Sequence, residues 1–451
     1  MMRTEQPPPA PAPESGLPPR IQTFAALRHR EFRLFWLGLV VSNLGGWIQQ
    51  VAGPWLVYRL TDSPFMLGLV GFLAAIPAAP LSLIAGPLID RLPRRPLLIV
   101  TQLGLSLPPM GLAALVWTGH VQVWHVVVAE LLRGAFLAID QPAKQAAIVD
   151  MTGKEDVASA IALWSSATSV TRVVGPAIAG LIIAWAGDGP RAFLGVNVAW
   201  AGVGLCFALN GLSYLALVAA LLAISLPNPQ PTARRSSLAG SLADGFRYVL
   251  QQRQLVAIAS LALVAAVFVR PFQTLLPVFA NDVLRPALRS TASSAVGVGA
   301  TGLGFMTAAA GVGAVVGALG AASLRPERVR ESSFVWVASL VLPFVAVGFA
   351  FSHSFLLACG FLILLGGWET ALETAVNSLL LVEVRDEYRG RVMSLYTAAA
   401  MGAPRVGGLQ AGWLAARWSA PLALGIGSVV YLMFSGTLLV VLRVAKSKKR
   451  G

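Results

Sequence analysis

Residues 86–95 read Gly86-Pro-Leu-Ile-Asp90-Arg91-Leu-Pro-Arg94-Arg95 and separate two long apolar segments. Gly and Pro favour a tight turn, and the three arginines make that turn strongly basic. Each flanking segment offers about 20 uncharged residues, the length that a helix needs to cross a bilayer. The stretch therefore predicts a short basic loop between two membrane-spanning helices.

The composition also places the chain in a membrane. Of its 451 residues 56% are hydrophobic and 12% are charged, whereas soluble domains carry about 25% charged residues. A net charge of +14 would suggest nucleic acid as a partner of a soluble protein, but basic loops fix the orientation of a membrane protein. Cys206 and Cys359 lie in apolar runs. We expect no disulfide, no metal site and no bound nucleic acid.

Hydrophobic periodicity predicts an all-α integral membrane protein with twelve transmembrane helices. Several apolar segments exceed the about 20 residues that cross a bilayer, so we expect these helices to tilt or to protrude. The predicted spans, numbered one to twelve, are 33–58, 65–88, 96–118, 122–142, 158–185, 192–224, 255–281, 299–322, 332–352, 354–380, 391–416 and 420–442.

The distribution of Lys and Arg predicts how the spans are oriented. With both termini in the cytoplasm, the tails and the loops that follow even-numbered spans hold 25 of the 34 basic residues, and the opposite loops hold five. The remaining four are inside spans: Arg133, Arg172, Arg270 and Arg405. We therefore expect a multi-pass protein with cytoplasmic termini.

The spans group into two halves joined by a linker. A Pro-rich N-terminal tail cannot bury enough apolar surface to fold and is expected to be disordered. In the linker, Leu238, Leu242, Phe246 and Val249 share one helical face, which predicts an amphipathic helix on the cytoplasmic membrane surface. The predicted segments are the tail 1–30, the first six-helix half 31–225, the linker 226–254, the second six-helix half 255–443 and a basic cytoplasmic tail 444–451.

The two halves are related in sequence. A shift of about 230 residues places Ala-Gly-Leu at 179–181 on Ala-Gly-Trp at 411–413, and Gly134 on Gly366. Parallel duplicated halves that rock around a central site are a transporter architecture.

Twelve spans, duplicated halves and the opening stretch together resemble the major facilitator superfamily. Its signature between spans two and three reads Gly-x-Leu-x-Asp-Arg-x-Gly-Arg-Arg/Lys. Pro93 replaces the second Gly of that signature, and the matching residues are Gly86, Leu88, Asp90, Arg91, Arg94 and Arg95.

Two further stretches are similar to the branch that contains the enterobactin exporter and the macrolide-efflux proteins. They are Arg133-Gly134 leading to Asp140-Gln-Pro142, and Arg172-Val-Val-Gly175-Pro176 in span five. The Gly-Pro pair is similar to a motif associated with exporters in this superfamily.

The resemblance implies that spans one, four, seven and ten line the central cavity. Polar and charged side chains inside spans are costly in lipid and are therefore functional candidates. Most of them fall on these four spans. The candidates for proton coupling or substrate binding are Asn43, Gln49, Gln50, Arg133, Gln273, Glu369, Glu373 and Asn377.

Glu369 and Glu373 share one helical face because they are four residues apart. Two carboxylates in a poorly hydrated cavity can hold a proton near neutral pH, as a proton-coupled transporter requires. Alternatively, Arg133 or another buried arginine neutralises them in a structural ion pair. Arg133 either meets an anionic substrate or only holds these carboxylates. Arg270 either binds an anion at the cavity mouth or snorkels toward the surface.

The opening stretch has two interpretations. The resemblance implies a cytoplasmic latch, in which Asp90 is attracted to the N-terminus of span eleven and Arg91 pairs with Asp140 or Asp150. Alternatively, its arginines only hold the loop in the cytoplasm. The latch candidates are Gly86, Asp90, Arg91, Arg94, Arg95, Asp140 and Asp150.

A third set of residues is expected to pack helices together. Gly175 and Gly180 allow a close approach of span five, and Pro176 bends it. Arg172 and Arg405 precede the glycine-rich stretches of spans five and eleven. We expect these two arginines to brace the halves rather than to touch substrate.

The sequence predicts a secondary transporter and not an enzyme. The nucleotide-binding signature Gly-x-x-x-x-Gly-Lys-Ser/Thr is absent, so an ion gradient must supply the energy and no cofactor is expected. The resemblance implies a monomeric bacterial inner-membrane exporter that exchanges protons for a small hydrophobic or amphipathic compound, such as a drug, a siderophore or a metabolite. There are two alternatives. An uptake permease of the same fold is disfavoured by the exporter-like Gly-Pro pair in span five. A non-transporting sensor or scaffold is disfavoured by the buried acids, because it has no need of them.

Overall fold

The protein, described by a computed structural model, is almost entirely helical. The structure describes residues 24–89, 92–187, 191–193, 196–198, 200–226, 238–284, 298–323 and 334–447. Its helices are Ala25–Arg28 (3-10), Arg30–Thr61, Pro64–Ile89, Arg94–Trp117, Val123–Ala186, Ala201–Leu222, Leu238–Gln251, Arg253–Phe268, Phe272–Val278, Phe279–Val283 (π), Val298–Ser323, Phe334–Ala350, Phe355–Glu383, Asp386–Arg417 and Ala420–Ser447.

Every predicted span lies mainly on helix, so the all-α prediction is confirmed. Among the described residues, seven helical segments are by themselves long and apolar enough to cross a membrane. Two more apolar helices are shorter, at Pro64–Ala78 and Phe334–Ala350. The remaining spans are one, four and eleven. Spans one and eleven are helices of 32 residues each, Arg30–Thr61 and Asp386–Arg417, and span four belongs to the helix Val123–Ala186.

The loop predicted between spans four and five is itself helical. Helix continues from Val123 to Ala186, with one non-helical residue, Gly153, at φ 67° and ψ 178°. A side chain would strain this backbone conformation, which glycine adopts freely. The kink at Gly153 is therefore the boundary between span four and span five.

Two other boundaries differ from the prediction. Span six begins at Ala201 rather than at 192, because Arg191–Phe193 pairs with Val196–Val198 in a small antiparallel hairpin. Hydropathy alone does not separate such a short strand from a helix end. Span seven is interrupted near Pro271, which has no backbone N–H to donate, and it resumes at Phe272.

The predicted linker helix is present at Leu238–Gln251. Tyr248 is buried and stacks on Tyr388 at the start of span eleven, with ring centroids 4.4 Å apart. Phe246 and Leu250 are exposed. Val249 packs against the protein core, and the side chains of Leu238 and Leu242 lie outside the described residues.

The ends of the helices define two faces of the molecule. We call the end that carries Arg94, Gly153 and Arg385 the basic face, and the other end the opposite face. Span two packs against span eleven, and span five packs against span eight. These two pairs of helices hold the first half against the second.

Candidate functional site

The second half contains a cluster of one arginine and two glutamates. Arg270 lies at the break in span seven, where Pro271 ends the regular helix. Its Nε lies 2.8 Å from Oε1 of Glu369, and its Nη1 lies 3.4 Å from Oε2 of Glu373. Gln273 donates to Glu369 at 3.5 Å. A single guanidinium is thus shared by both predicted carboxylates.

The cluster lies at the inner end of a cavity. The cavity wall comes from spans seven, ten and eleven: Ala262, Leu263, Ala265, Ala266, Arg270, Glu369, Leu372, Glu373, Tyr396 and Ala400. On each of these spans the lining residues extend from the cluster toward the basic face. Glu373 faces this space with 44% of its side chain exposed, whereas Glu369 is 12% exposed.

The first half contains a second polar network. Arg133 pairs with Glu130, its neighbour one turn earlier in span four, through two contacts of 2.7 Å and 2.8 Å. Gln49 donates to Glu130 at 3.4 Å and accepts a hydrogen bond from Asn210 of span six. The alternative in which Arg133 pairs with Glu369 or Glu373 is therefore wrong, because Arg270 forms the ion pairs with those carboxylates.

Sequence reasoning missed Glu130 and Asn210. The spacing of Glu130 and Arg133, three residues apart on one helix, is the signal that could have indicated their ion pair. No local pattern marks Asn210, because its contact with Gln49 joins residues 161 positions apart.

The other predicted cavity residues are less engaged. Asn43 is half-buried, and Gln50 and Asn377 are exposed. Within the part of the chain that the structure describes, these three side chains have no hydrogen-bond partner.

The latch candidates are divided between spans two, three and four. Arg94 pairs with Asp150 and donates to the carbonyl of Ala146 at 3.3 Å. Arg95 donates to the carbonyls of Leu221 and Leu222, both at 2.8 Å. These contacts all lie within the first half.

Asp140 contacts other residues than Arg91, the partner that the latch prediction gave it. It pairs with Lys144 at 2.7 Å and accepts from Thr101 and Gln102 at 2.8 Å and 2.6 Å. Asp90 and Arg91 lie outside the described residues, and Gly86 belongs to the end of span two. The carboxylates proposed for Arg91 are thus bound by Lys144 and Arg94.

The predicted packing residues lie where helices approach closely. A Cβ at Gly175 would strike Trp47 of span one at 2.5 Å, and one at Gly304 of span eight would strike the carbonyl of Pro176 at 2.6 Å. A Cβ at Gly180 would lie 3.2 Å from Gly304. Span five therefore touches both its own half and the other half along this stretch.

Contacts between the halves also close the opposite face. Tyr58 at the end of span one donates to Asp282 of span seven. A Cβ at Gly299 would overlap the ring of Trp55, and one at Gly68 would overlap the carbonyl of Gly408. The halves are packed together at the opposite face, and the cavity extends toward the basic face.

The described residues hold no group of His, Cys, Asp or Glu that could bind a metal ion. Cys206 and Cys359 are both free.

Comparison with known families gives one match over almost the whole chain. The sequence model of the transmembrane secretion effectors, a branch of the major facilitator superfamily, matches residues 21–450.

Curated relatives align at modest identity. The staphyloferrin A transporter of Staphylococcus aureus is 29% identical over 53% of this chain and 57% of its own length. The multidrug efflux pump Tap of Mycobacterium bovis is 27% identical over 83% of this chain and 84% of its own length. The enterobactin exporter EntS of Shigella boydii is 26% identical, and the alignment covers 92% of both chains.

Solved structures share the fold. The nucleoside transporter NupG superposes with a TM-score of 0.71 over 90% of this chain and 99% of its own, at 12% identity. An inward-facing bacterial homologue of the lysosomal transporter Spinster gives a TM-score of 0.68 over 91% of this chain and 96% of its own, at 14% identity. At these identities the likeness concerns the fold alone.

Proposed function

Because the chain belongs to the transmembrane secretion effectors of the major facilitator superfamily, we propose that it is a proton-coupled exporter. In this proposal it moves small hydrophobic or amphipathic compounds out of the cytoplasm by alternating access. The names of its relatives Tap and EntS, a multidrug pump and a siderophore exporter, support export as the direction.

One observation carries the proposed coupling: a single guanidinium serves two carboxylates. If both glutamates are ionised, Arg270 neutralises only one of the two charges, and an uncompensated charge inside a membrane protein is costly. A proton on one carboxylate removes the excess charge. Glu373 is the group that we assign to this proton, because it is the more exposed of the two and the farther from Arg270.

The two faces support the alternating access that we propose. In the state described, the cavity with Glu373 extends toward the basic face, and Tyr58 and Asp282 hold the opposite face closed. Rocking of the halves about spans two, five, eight and eleven would break the contact of Tyr58 and expose Glu373 to the other side. Exchange of a proton for substrate on each side completes the cycle.

The remaining expectations belong to the same proposal. The chain acts as a monomer in a bacterial inner membrane, with two six-helix halves and both termini in the cytoplasm. The linker 226–254 lies on the cytoplasmic surface, and residues 86–95 provide the latch that closes this side. Gln49, Arg133, Gln273 and the other polar residues of the cavity-lining spans contribute to substrate or proton handling.

Everted membrane vesicles test the proposal. Vesicles that contain the protein are acidified inside, and a panel of cationic, neutral and anionic amphipathic compounds is added while the pH gradient is followed with an acridine dye. We expect at least one compound to accumulate in the vesicles and to release protons from them. We expect neither accumulation of the compound nor release of protons in vesicles without the protein or in vesicles with the E369Q/E373Q variant.

The same vesicles separate the alternatives. An uptake permease would move the compound out of everted vesicles instead of into them. A sensor or scaffold would give no compound-dependent proton release with any member of the panel, and that result would reject the proposed transport.

A further inference from the structure

Tyr396 of span eleven has a buried hydroxyl without a partner. The residue lines the cavity that holds Arg270, Glu369 and Glu373, and it is 8% exposed. Among the described residues, no group accepts a hydrogen bond from this hydroxyl or donates one to it. A buried hydroxyl that stays unpaired destabilises a protein, so we expect it to gain a partner in another step of the transport cycle.

Glu373 lies at the same depth as Tyr396, on the preceding span. Glu373 is ten residues before the end of span ten at Glu383, and Tyr396 is ten residues after the start of span eleven at Asp386. A helix rises about 1.5 Å per residue, so each of the two residues lies about 15 Å from the end of its helix at the basic face. Both residues therefore line the cavity at one level.

Glu373 is also the carboxylate with capacity for a further hydrogen bond. Glu369 is held by Arg270 at 2.8 Å and by Gln273 at 3.5 Å. Among the described residues, Glu373 has one polar contact, of 3.4 Å, between its Oε2 and Arg270. A carboxylate has about four acceptor sites, so most of those on Glu373 are unused. The charge of Glu373 already acts on the hydroxyl of Tyr396 in the state described.

The other helices around span ten offer Glu373 few polar groups. Arg270 faces it from span seven, and Glu369 lies one turn earlier on its own span. Arg172 of span five acts on it through its charge, without an ion pair among the described residues. Spans eight and nine also pack against span ten, and they carry no titratable residue. Span eleven contributes the hydroxyl of Tyr396 to the same cavity.

We propose that Tyr396 is a positioning residue for the coupled proton: its hydroxyl donates to the carboxylate of Glu373 once that carboxylate has lost its proton. This inference rests on the proposed function and adds a residue to its site. A hydrogen bond to the charged form of a carboxylate favours that form, so Tyr396 promotes release of the proton. The bond also joins spans ten and eleven across the cavity. Because span eleven packs against span two, the protonation of Glu373 is thereby linked to the contact between the halves.

Infrared titration of the purified full-length protein in lipid nanodiscs tests this role. The stretching band of a protonated carboxyl group disappears as the group ionises, and the part of the band that E373Q removes belongs to Glu373. Y396F keeps the ring and loses the hydroxyl. In this variant we expect Glu373 to bind its proton about tenfold more tightly, which shifts the midpoint of its titration by about one pH unit toward alkaline pH. An unchanged midpoint, or a shift toward acid pH, would overturn the role of Tyr396.

Y388F is the matched control, and melting temperature is a second measurement. Tyr388 belongs to the same helix but lies outside this cavity, where its ring stacks on Tyr248, so Y388F should leave the titration of Glu373 unchanged. Y396F should melt like the unaltered protein at acid pH, where Glu373 is protonated. At alkaline pH it should melt at a lower temperature, because it lacks the hydrogen bond. Equal melting temperatures at both pH values would contradict the proposed bond.

The failure of this role and the failure of the proposed function give different results. If Y396F shifts the titration but no compound releases protons from everted vesicles, the role of Tyr396 stands and proton-coupled export fails. If a compound releases protons but Y396F titrates as the unaltered protein does, export stands and the role of Tyr396 fails. If E373Q removes no part of the band, both the role of Tyr396 and the assignment of the proton to Glu373 fail.

Discussion

At the scale of single residues, the ion pairs show which charged groups already have a partner. Arg270 holds both Glu369 and Glu373, and Arg133 is occupied by Glu130. The sequence showed which spans carry charge, because charged residues inside apolar segments stand out. It left the partners open, since the contact of Arg270 with span ten joins residues about a hundred positions apart and depends on the break at Pro271.

Replacing Glu130 should destabilise the protein. E130Q leaves Arg133 without its carboxylate in a poorly solvated network, and a buried group that loses its charged partner costs about 1–3 kcal/mol. We expect a lower melting temperature for the purified protein in detergent. E387Q removes an exposed glutamate at the start of span eleven and should not change it. Equal melting temperatures for the two variants would show that the Glu130 pair contributes no stability.

At the scale of elements, helix positions were more predictable than helix ends. Apolar runs identified every span. The ends depend on local backbone chemistry: Gly153 kinks one long helix into two spans, and the hairpin at 191–198 delays span six. The linker helix was expected from its amphipathic pattern, but its stacking on Tyr388 is a tertiary contact that no local pattern shows.

The stack between Tyr248 and Tyr388 should hold the linker helix in place. Aromatic pairs contribute about 0.5–1.5 kcal/mol beyond the area they bury, so Y248A should make amide hydrogens of 238–251 exchange about tenfold faster. Y248F keeps the stacked ring and loses only the hydroxyl that accepts from the N–H of Arg385, so it should stay near the unaltered rate. Unchanged exchange in Y248A would mean that other contacts hold the helix.

The close contact of spans two and eleven should keep the opposite face shut. A side chain at Gly68 would overlap the carbonyl of Gly408, whereas one at Gly46 meets nothing within 4 Å. We expect G68V, and not G46V, to lengthen the distance between spin labels at His120 and His353, measured by electron resonance. Both sites are exposed and lie on the opposite face, one in each half. The same distance in both variants would argue against closure by this contact.

At the scale of the whole molecule, the fold was predictable because the bilayer imposes it. A backbone in lipid must satisfy its own hydrogen bonds, so long apolar runs become helices, and basic loops indicate which side they face. The relative placement of the halves was not predictable. It depends on glycine contacts between spans two and eleven and between spans five and eight, which only the assembled structure displays.

The proposed sidedness can be checked in intact cells. In a background without the native cysteines, we expect a membrane-impermeant maleimide to label H120C on the opposite face and to leave E387C on the basic face unlabelled until the membrane is opened. Labelling of E387C in intact cells, with H120C protected, would show that the basic face lies outside the cytoplasm. The proposed orientation and the direction of export would then both be wrong.

The most direct test of proton coupling separates net transport from exchange in everted vesicles. With a compound that the unaltered protein accumulates, E373Q should still exchange labelled for unlabelled compound across the membrane, because the halves can rock without a titratable group. It should lose accumulation driven by the pH gradient. Gradient-driven accumulation by E373Q at the level of the unaltered protein would contradict the assignment of the coupled proton to Glu373.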